Sequence, residues 1–251
     1  MPEGDAVRRA ADRLATLAGD RVEASAPNPR GTLVARAVDG RVLERVDAVG
    51  KNLLLRFEGG VVVHSHLGMK GRWRVAPVGA ASFGRPWLVL RGSRHEALQW
   101  NGPVLELAGD ARRRLGPDIL AAQPDFDRMV ANLRGLDPST PLGRALQHQR
   151  SVAGIGNMWA AETLWAVRLS PWLQLAETAD DELRAALRHA QALMRAGLDG
   201  RRGRREAYRR AGRPCRRCGA AVRSRGQGDD NRTAYWCPGC QRGGGDAAAG
   251  A

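Results

Sequence analysis

The chain is almost without lysine: of its 40 Lys and Arg residues, only Lys51 and Lys70 are lysines. Cysteine is scarce too, with four residues all lying between positions 215 and 240. No run of about 18 apolar residues occurs, which argues against a membrane-spanning helix. The first residues lack the basic-then-apolar order of a secretory signal, because acidic Glu3 and Asp5 follow Met1 at once. A cytoplasmic, nucleoid-associated location is therefore expected. Thiols stay reduced there, and paired cysteines read as metal ligands rather than disulfides.

What the chain has in excess is positive charge. Forty basic residues against 26 acidic ones give a net charge of +14 over 251 residues. A high-GC genome inflates arginine at the expense of lysine, but exchanging one for the other leaves the net charge unchanged. The excess still favours a basic face and a polyanionic partner, with nucleic acid the first candidate.

The length allows two or three small domains. From Gly4 to Ala18, Val7, Ala10, Ala11, Leu14 and Leu17 recur at helical spacing, with Asp5 able to cap the start. From about Arg21 to Leu107 short β-branched or apolar runs take over, at 53–57, 61–63 and 87–90, and Gly59-Gly60 reads as a hairpin turn. Gly116-Pro117-Asp118 and Pro124 read as a linker. Helices are expected at about 126–134, 142–149, 157–167 and 180–196, followed by a basic polar stretch, the cysteine module and a low-complexity tail. This predicts an α+β multidomain chain. Residues 1–115 form an N-terminal helix and β-sandwich, 124–205 a helical domain, 212–242 a four-cysteine zinc finger, and 243–251 a disordered tail.

Cys215-x-x-Cys218 and Cys237-x-x-Cys240 are two knuckles, each able to bring two thiolates to one cation. Together they complete a tetrahedral shell, so one structural zinc with no open catalytic position is expected. Between the knuckles, a turn-rich connection over 226–232 has Asp230-Asn231 near its tip and would carry Arg232 away from the metal. On spacing alone Arg232 reads equally as one more solvated arginine.

Four other features are individually weak. Gly154-Ile155-Gly156-Asn157 joins two helical segments, so that backbone N–H groups and a helix N-terminus could converge on a phosphate; an ordinary helix–helix turn fits as well. Removal of Met1 would leave a secondary amine at Pro2 beside the carboxylate of Glu3. An α-amine is far less basic than a lysine, so its neutral fraction could attack a sugar C1′, with Glu3 as proton shuttle. A Met-Pro start is also common without function. Lys51 sits on a turn where arginine is the expected cation, and a compact ammonium suits a crowded phosphate or a proton transfer; a solvated turn lysine is the alternative. His64 and His66 point to one face without a third ligand, which argues against a catalytic metal. Met69, between Gly68 and Gly71, either wedges into a base stack or folds back into the core.

Taken in order, these segments resemble the formamidopyrimidine-DNA glycosylase and endonuclease VIII family of base-excision repair enzymes. The resemblance rests on Met1-Pro2-Glu3-Gly4-Asp5, Val49-Gly50-Lys51-Asn52-Leu53, His66-Leu67-Gly68-Met69, Gly154-Ile155-Gly156-Asn157 with Glu162 following, and the ending from Arg232 to Gln241. It implies a helix–two-turn–helix domain and a bifunctional glycosylase and abasic-site lyase acting on damaged DNA as a monomer. Pro2 would form a Schiff base at C1′, Glu3 would assist proton transfer, and β- and δ-elimination would follow. Lys51, Asn157 and Arg232 would hold phosphates, and Met69 would fill the gap left by the flipped nucleotide. Gly4-Asp5 and the short stretch between Met194 and Pro214 are similar to the endonuclease VIII branch, of actinobacterial type, and favour oxidised pyrimidines. The His66-Leu67-x-Met69 pattern is shared with the formamidopyrimidine branch and with actinobacterial endonuclease VIII-like proteins. His148-Gln149, where relatives commonly carry Asp-Gln, and Gln99-Trp100-Asn101, in a region read as a loop, depart from the pattern. Two other readings compete: a catalytically silent lesion- or structured-DNA-binding protein on the same scaffold, and a zinc-ribbon protein bound to RNA or the ribosome.

Overall fold

A computed structural model of the chain describes residues 2–80, 84–108, 115–201, 203–228 and 232–243. Two compact units divide the chain, Met1–Arg114 and Leu115–Ala251.

The first unit begins with helix α1 (Gly4–Leu14), whose Val7, Ala10, Ala11 and Leu14 form the buried stripe that their spacing predicts. Glu3, not Asp5, is the N-cap residue; Asp5 lies fully buried in the first turn and pairs with Arg9 at 3.1 Å. Eight strands and one further helix follow: β1 (Glu23–Ser25), α2 (Thr32–Val38), β2 (Leu43–Val49), β3 (Asn52–Phe57), β4 (Val61–His66), β5 (Arg72–Pro77), β6 (Leu88–Arg91), β7 (His95–Trp100) and β8 (Val104–Leu107). They form two antiparallel four-stranded sheets, ordered β1-β6-β7-β5 and β2-β3-β4-β8. Leu53, Leu55 and Phe57 from one sheet share a core with Leu88, Leu90 and Ala97 from the other, alternate residues pointing inward as a sandwich requires. Each fully buried Leu or Phe stabilises the unit by about 1.5–3 kcal/mol.

Two expectations for this unit are corrected. Helix α2 was read as part of the β tract, because seven residues cover barely two turns and show little periodicity. Gln99 and Trp100 belong to strand β7, and only Asn101, with φ 54°, lies in the turn beyond it.

The second unit holds α3 (Phe126–Arg134), α4 (Leu142–Ala145), α5 (Asn157–Ala166) and α6 (Asp180–Leu198), then the hairpin β9 (Arg223–Gln227) and β10 (Arg232–Trp236). Its core joins Met129 and Leu133 of α3, Leu142 and Ala145 of α4, Leu164 of α5, and Leu183, Leu187 and Met194 of α6. Helix α4 stops four residues short of the expected Gln149. The Gln147 side chain takes the Gly143 carbonyl at 2.7 Å, the acceptor that its own backbone N–H would use in a continued helix; that N–H turns to Arg144 O at 3.0 Å instead. Residues 116–119, read as a linker, are tied along the glycine turn: Gly116 N–H donates to Gln149 O at 2.9 Å and Ile119 N–H to Ala153 O at 3.0 Å, with Ile119 fully buried. Strand β9 runs on to Gln227, so the hairpin connection is shorter than 226–232. Asp230, Asn231 and the tail from 244 lie outside the described residues.

Candidate active site and nucleic-acid interface

In the second unit, Asn157 and Arg232, 75 positions apart in sequence, come to one place. Asn157 opens α5, and its Nδ2 donates to Thr233 O at 2.8 Å, holding the first residues of β10 against the helix start. Arg232 Nη1 donates to Gln147 Oε1 at 3.3 Å, and Gln147 Nε2 lies 3.4 Å from Asn157 Oδ1. Arg144, Gln147, His148, Gln149, Gln227, Gly228 and Arg232 line a recess of about 220 Å³ there. Among the described residues, two guanidiniums and no carboxylate line it, a surrounding that favours an anion.

The glycine turn before Asn157 works differently from the sequence expectation. Gly154 adopts φ 110°, which L side chains rarely reach, but its N–H is consumed by Gln149 Oε1 at 3.0 Å rather than left for a ligand. Gln149 Nε2 in turn donates to the carbonyls of Ile155 at 2.9 Å and Gln147 at 2.8 Å, so one carboxamide clamps the whole turn. Gly156 has an ordinary extended φ of −118° as the N-cap of α5. The donors at the recess are therefore side chains set by a clamped turn, more than a nest of main-chain N–H groups.

Residue Glu162 of α5 is buried, and its carboxylate accepts the backbone N–H groups of Glu206, Ala207 and Tyr208 at 2.8, 3.1 and 2.8 Å. That joins α5 to the segment leading into the cysteine module. There the four sulfur atoms of Cys215, Cys218, Cys237 and Cys240 lie within 4.8 Å of one another. Burial would raise the Cys215 thiol, but the Trp165 indole, donating at 3.3 Å, and the backbone N–H groups of Arg217 and Cys218 outweigh it and bring it down to about 6. Burial first, then the neighbouring Cys218, pushes Cys237 up to about 12. Thiols so placed do not ionise together unaided; a divalent cation at their centre would hold all four as thiolates. Four clustered cysteines that can hold a metal ion are thus present where the CxxC spacing predicts them.

In the first unit, the expected residues sit at two structural ends. Pro2 is half-buried, directly before the N-cap. Glu3, only 6% exposed, accepts the Val7 N–H at 3.0 Å through its main-chain oxygen, and its carboxylate does not cap the helix. Lys51, 5% exposed, occupies the two-residue β2–β3 turn with Gly50 (φ 59°) before it, the position where such a turn needs glycine. It is not a solvated turn lysine. Asn52 pairs with His66 across β3 and β4, so Lys51 lies at the sheet end from which the Leu67–Gly71 turn leaves. Burial first, then His64 and Lys51, hold His66 below the ordinary histidine value. Its neutral Nδ1 accepts the Gly68 N–H at 3.2 Å, which fixes the start of that turn. Met69 at its tip is 82% exposed, so the alternative of a core methionine falls away.

Comparison with known proteins decides the family. Residues 1–114 match the formamidopyrimidine-DNA glycosylase N-terminal domain and 115–207 match the formamidopyrimidine-DNA glycosylase H2TH domain. The chain belongs to this family. Among relatives, it is 38% identical to a probable endonuclease 8 2 of Streptomyces coelicolor over 97% of this chain and 95% of the relative. It is 35% identical to the DNA-(apurinic or apyrimidinic site) lyase Nei2 of Mycolicibacterium smegmatis over 96% and 99%. A crystal structure of Lactococcus lactis formamidopyrimidine-DNA glycosylase non-covalently bound to DNA containing an abasic site has the same fold. Its TM-score is 0.82 at 19% identity, over 96% of this chain and 100% of that one. The Streptomyces coelicolor relative carries the endonuclease 8 name, which sides with the opening Gly4-Asp5.

For this glycosylase-family chain, sequence reasoning found the residues with unusual chemistry and missed those that hold them. Gln147, Gln149 and Arg144 belong to the same recess as Arg232. Gln149 is part of the His148-Gln149 pair that departs from the family pattern, whereas Gln147 carries no signal, because the two site residues it touches, Asn157 and Arg232, lie 10 and 85 residues away.

Proposed function

We propose that this chain is a bifunctional DNA glycosylase and abasic-site lyase of base-excision repair, acting on damaged DNA as a monomer in the cytoplasm, at the nucleoid. The observation that carries the reading is Pro2-Glu3 at the start of α1: the family's nucleophile position is followed by a carboxylate only 6% exposed that is not spent on capping the helix. With Met1 removed, the neutral Pro2 nitrogen attacks C1′ of the damaged nucleotide. The N–C1′ bond forms as the glycosidic bond breaks, and the departing base takes a proton; the nitrogen gives up its own proton, and the C1′–O4′ bond opens with O4′ protonated. The iminium that results withdraws electrons from C2′, whose proton leaves as the C3′–O bond breaks in β-elimination; the C4′ proton, acidified through the conjugated iminium, then leaves as the C5′–O bond breaks in δ-elimination. Glu3 moves protons at the sugar. Lys51, nearly buried at the β2–β3 turn, sets a positive charge for a phosphate or a proton transfer. Asn157 and Arg232 hold backbone phosphate, and exposed Met69 fills the gap in the duplex.

Oxidised pyrimidines are the proposed lesions. The short span of 16 residues from the end of α6 at Leu198 to Pro214, and the resemblance of Gly4-Asp5 to the endonuclease VIII branch, support this. The proposed functional boundaries are 1–115, 124–205 and 212–242. Zinc fits the thiol set: Cys215, Cys218, Cys237 and Cys240 would hold it, and four sulfur ligands leave no position for catalysis.

Borohydride reduction during incubation with abasic-site DNA tests the reading. Correctly processed protein is expected to give a covalent adduct that Pro2→Gly abolishes while still binding the DNA. Binding without any adduct would instead identify a silent lesion-binding protein on this scaffold.

A further inference from the structure

Resting on the phosphate role of Arg232 and Asn157, we propose that Gln147 is a positioning residue that presets both. Its neutral carbonyl orients the arginine without cancelling the charge that the phosphate needs.

Four links make a closed circuit. Arg232 Nη1 donates to Gln147 Oε1 at 3.3 Å, and Gln147 Nε2 reaches Asn157 Oδ1 at 3.4 Å. Asn157 Nδ2 donates to Thr233 O at 2.8 Å, and Thr233 is the residue bonded to Arg232. Each link restrains the next, so loosening any of them frees both phosphate-facing side chains. Gln147 itself has little choice of orientation. Its Nε2 also donates to Gly143 O at 2.7 Å, a stronger claim on that nitrogen than any other here, so Oε1 must face Arg232. Its main-chain oxygen is held by Gln149 Nε2 at 2.8 Å, the same carboxamide that clamps the glycine turn.

The chemistry of the amide matters as much as its place. Glutamate at position 147 would have the same shape, yet it would pair with Arg232 as an ion and could not donate to Gly143 O or Asn157. Among the described residues, none that lines the recess beside it carries a carboxylate. A neutral acceptor holds the guanidinium fork while leaving its charge for an incoming phosphate. The arrangement thus removes side-chain freedom before DNA arrives, which is preorganisation rather than an added contact.

The test is a double-mutant cycle on the full-length protein, binding duplex DNA with a tetrahydrofuran abasic analogue over a range of salt. Gln147→Ala is expected to weaken binding by about 3- to 10-fold, the worth of one lost hydrogen bond, with the salt slope kept because Arg232 retains its charge. Gln147→Glu, isosteric with the native residue, is expected to bind more weakly still and to lower the salt slope by about one, as Arg232→Ala does. In the Arg232→Ala background, Gln147→Ala should lose much of its effect. A residue that merely supports the fold would weaken binding by the same factor in both backgrounds, and that additivity would overturn the proposal, as would wild-type binding by Gln147→Glu. If Arg232→Ala and Asn157→Ala bind with unchanged affinity and slope, the phosphate reading itself has failed. If those two weaken binding while Gln147→Ala does not, only the role of Gln147 has.

Discussion

At the scale of single residues, rarity was a better guide than class. Lys51 drew notice because the chain has only two lysines, and it proves nearly buried in a tight turn, where a solvated lysine would not be. Glu3 and Met69 are likewise out of character, a buried carboxylate at a helix start and an exposed methionine at a turn tip. His66 shows what the sequence could not: its role follows from burial and from the nearby Lys51 charge. Because its folded-state value lies below that of the unfolded chain, the unfolded state binds the proton more readily. The stability it contributes is therefore complete above about pH 6.5 and is lost as pH falls through the folded-state value. Thermal melts of wild type and His66→Asn should run parallel above about pH 7, and wild type should lose more on acidification. Equal acid sensitivity would show that His66 does not hold the Leu67–Gly71 turn in its neutral form.

Among the elements, the regular ones were readable and the irregular ones were not. Helix α3 lies at 126–134 as its pattern predicts, because a buried stripe over more than two turns has only one good solution. Helix α2 and the early end of α4 escaped notice, the first for its shortness and the second because a side chain displaces a backbone donor. The glycine turn was located correctly but given a partly wrong function, since Gly154 N–H serves Gln149. The two glycines should separate on mutation. Gly154→Ala, at φ 110°, is expected to cost about 1–3 kcal/mol in urea unfolding and to weaken DNA binding by disturbing Asn157. Gly156→Ala, at an ordinary φ, should change stability by less than about 1 kcal/mol. Equal effects would mean that strain at 154 is not what reserves glycine there.

At the scale of the whole molecule, the cysteine module is coupled to the second unit by contacts that cross it in several places. Glu162 caps residues 206–208, Arg217 lies 3.9 Å over Trp165, and Gln241 Nε2 donates to Leu169 O at 2.6 Å. A module with so small a core, Cys215, Val222 and Cys237 at its centre, would gain most of its folding energy from a metal held by the four cysteines; structural zinc supplies about 10–16 kcal/mol in small modules. Elemental analysis should find one zinc per chain. Chelation should unfold the β9–β10 hairpin, seen as a change in Trp236 fluorescence, and should abolish the contribution of Arg232 to DNA affinity. A metal-free protein with an intact hairpin and full affinity would refute a structural role for the metal.

By itself the sequence determined the chemistry available: an N-terminal proline beside a carboxylate, one conspicuous lysine, four thiols at ligand spacing and a glycine turn before an asparagine. These are local facts, set by residue type and by separations of a few positions, and they survive without knowledge of the fold. Only the tertiary structure decided which side chains meet. Gln147 gains its role from Arg232, 85 residues away, and Gln149 from a turn that its own carboxamide shapes. A hydrogen bond depends on atoms within about 3.5 Å, and distance along the chain says nothing of that until the chain has folded.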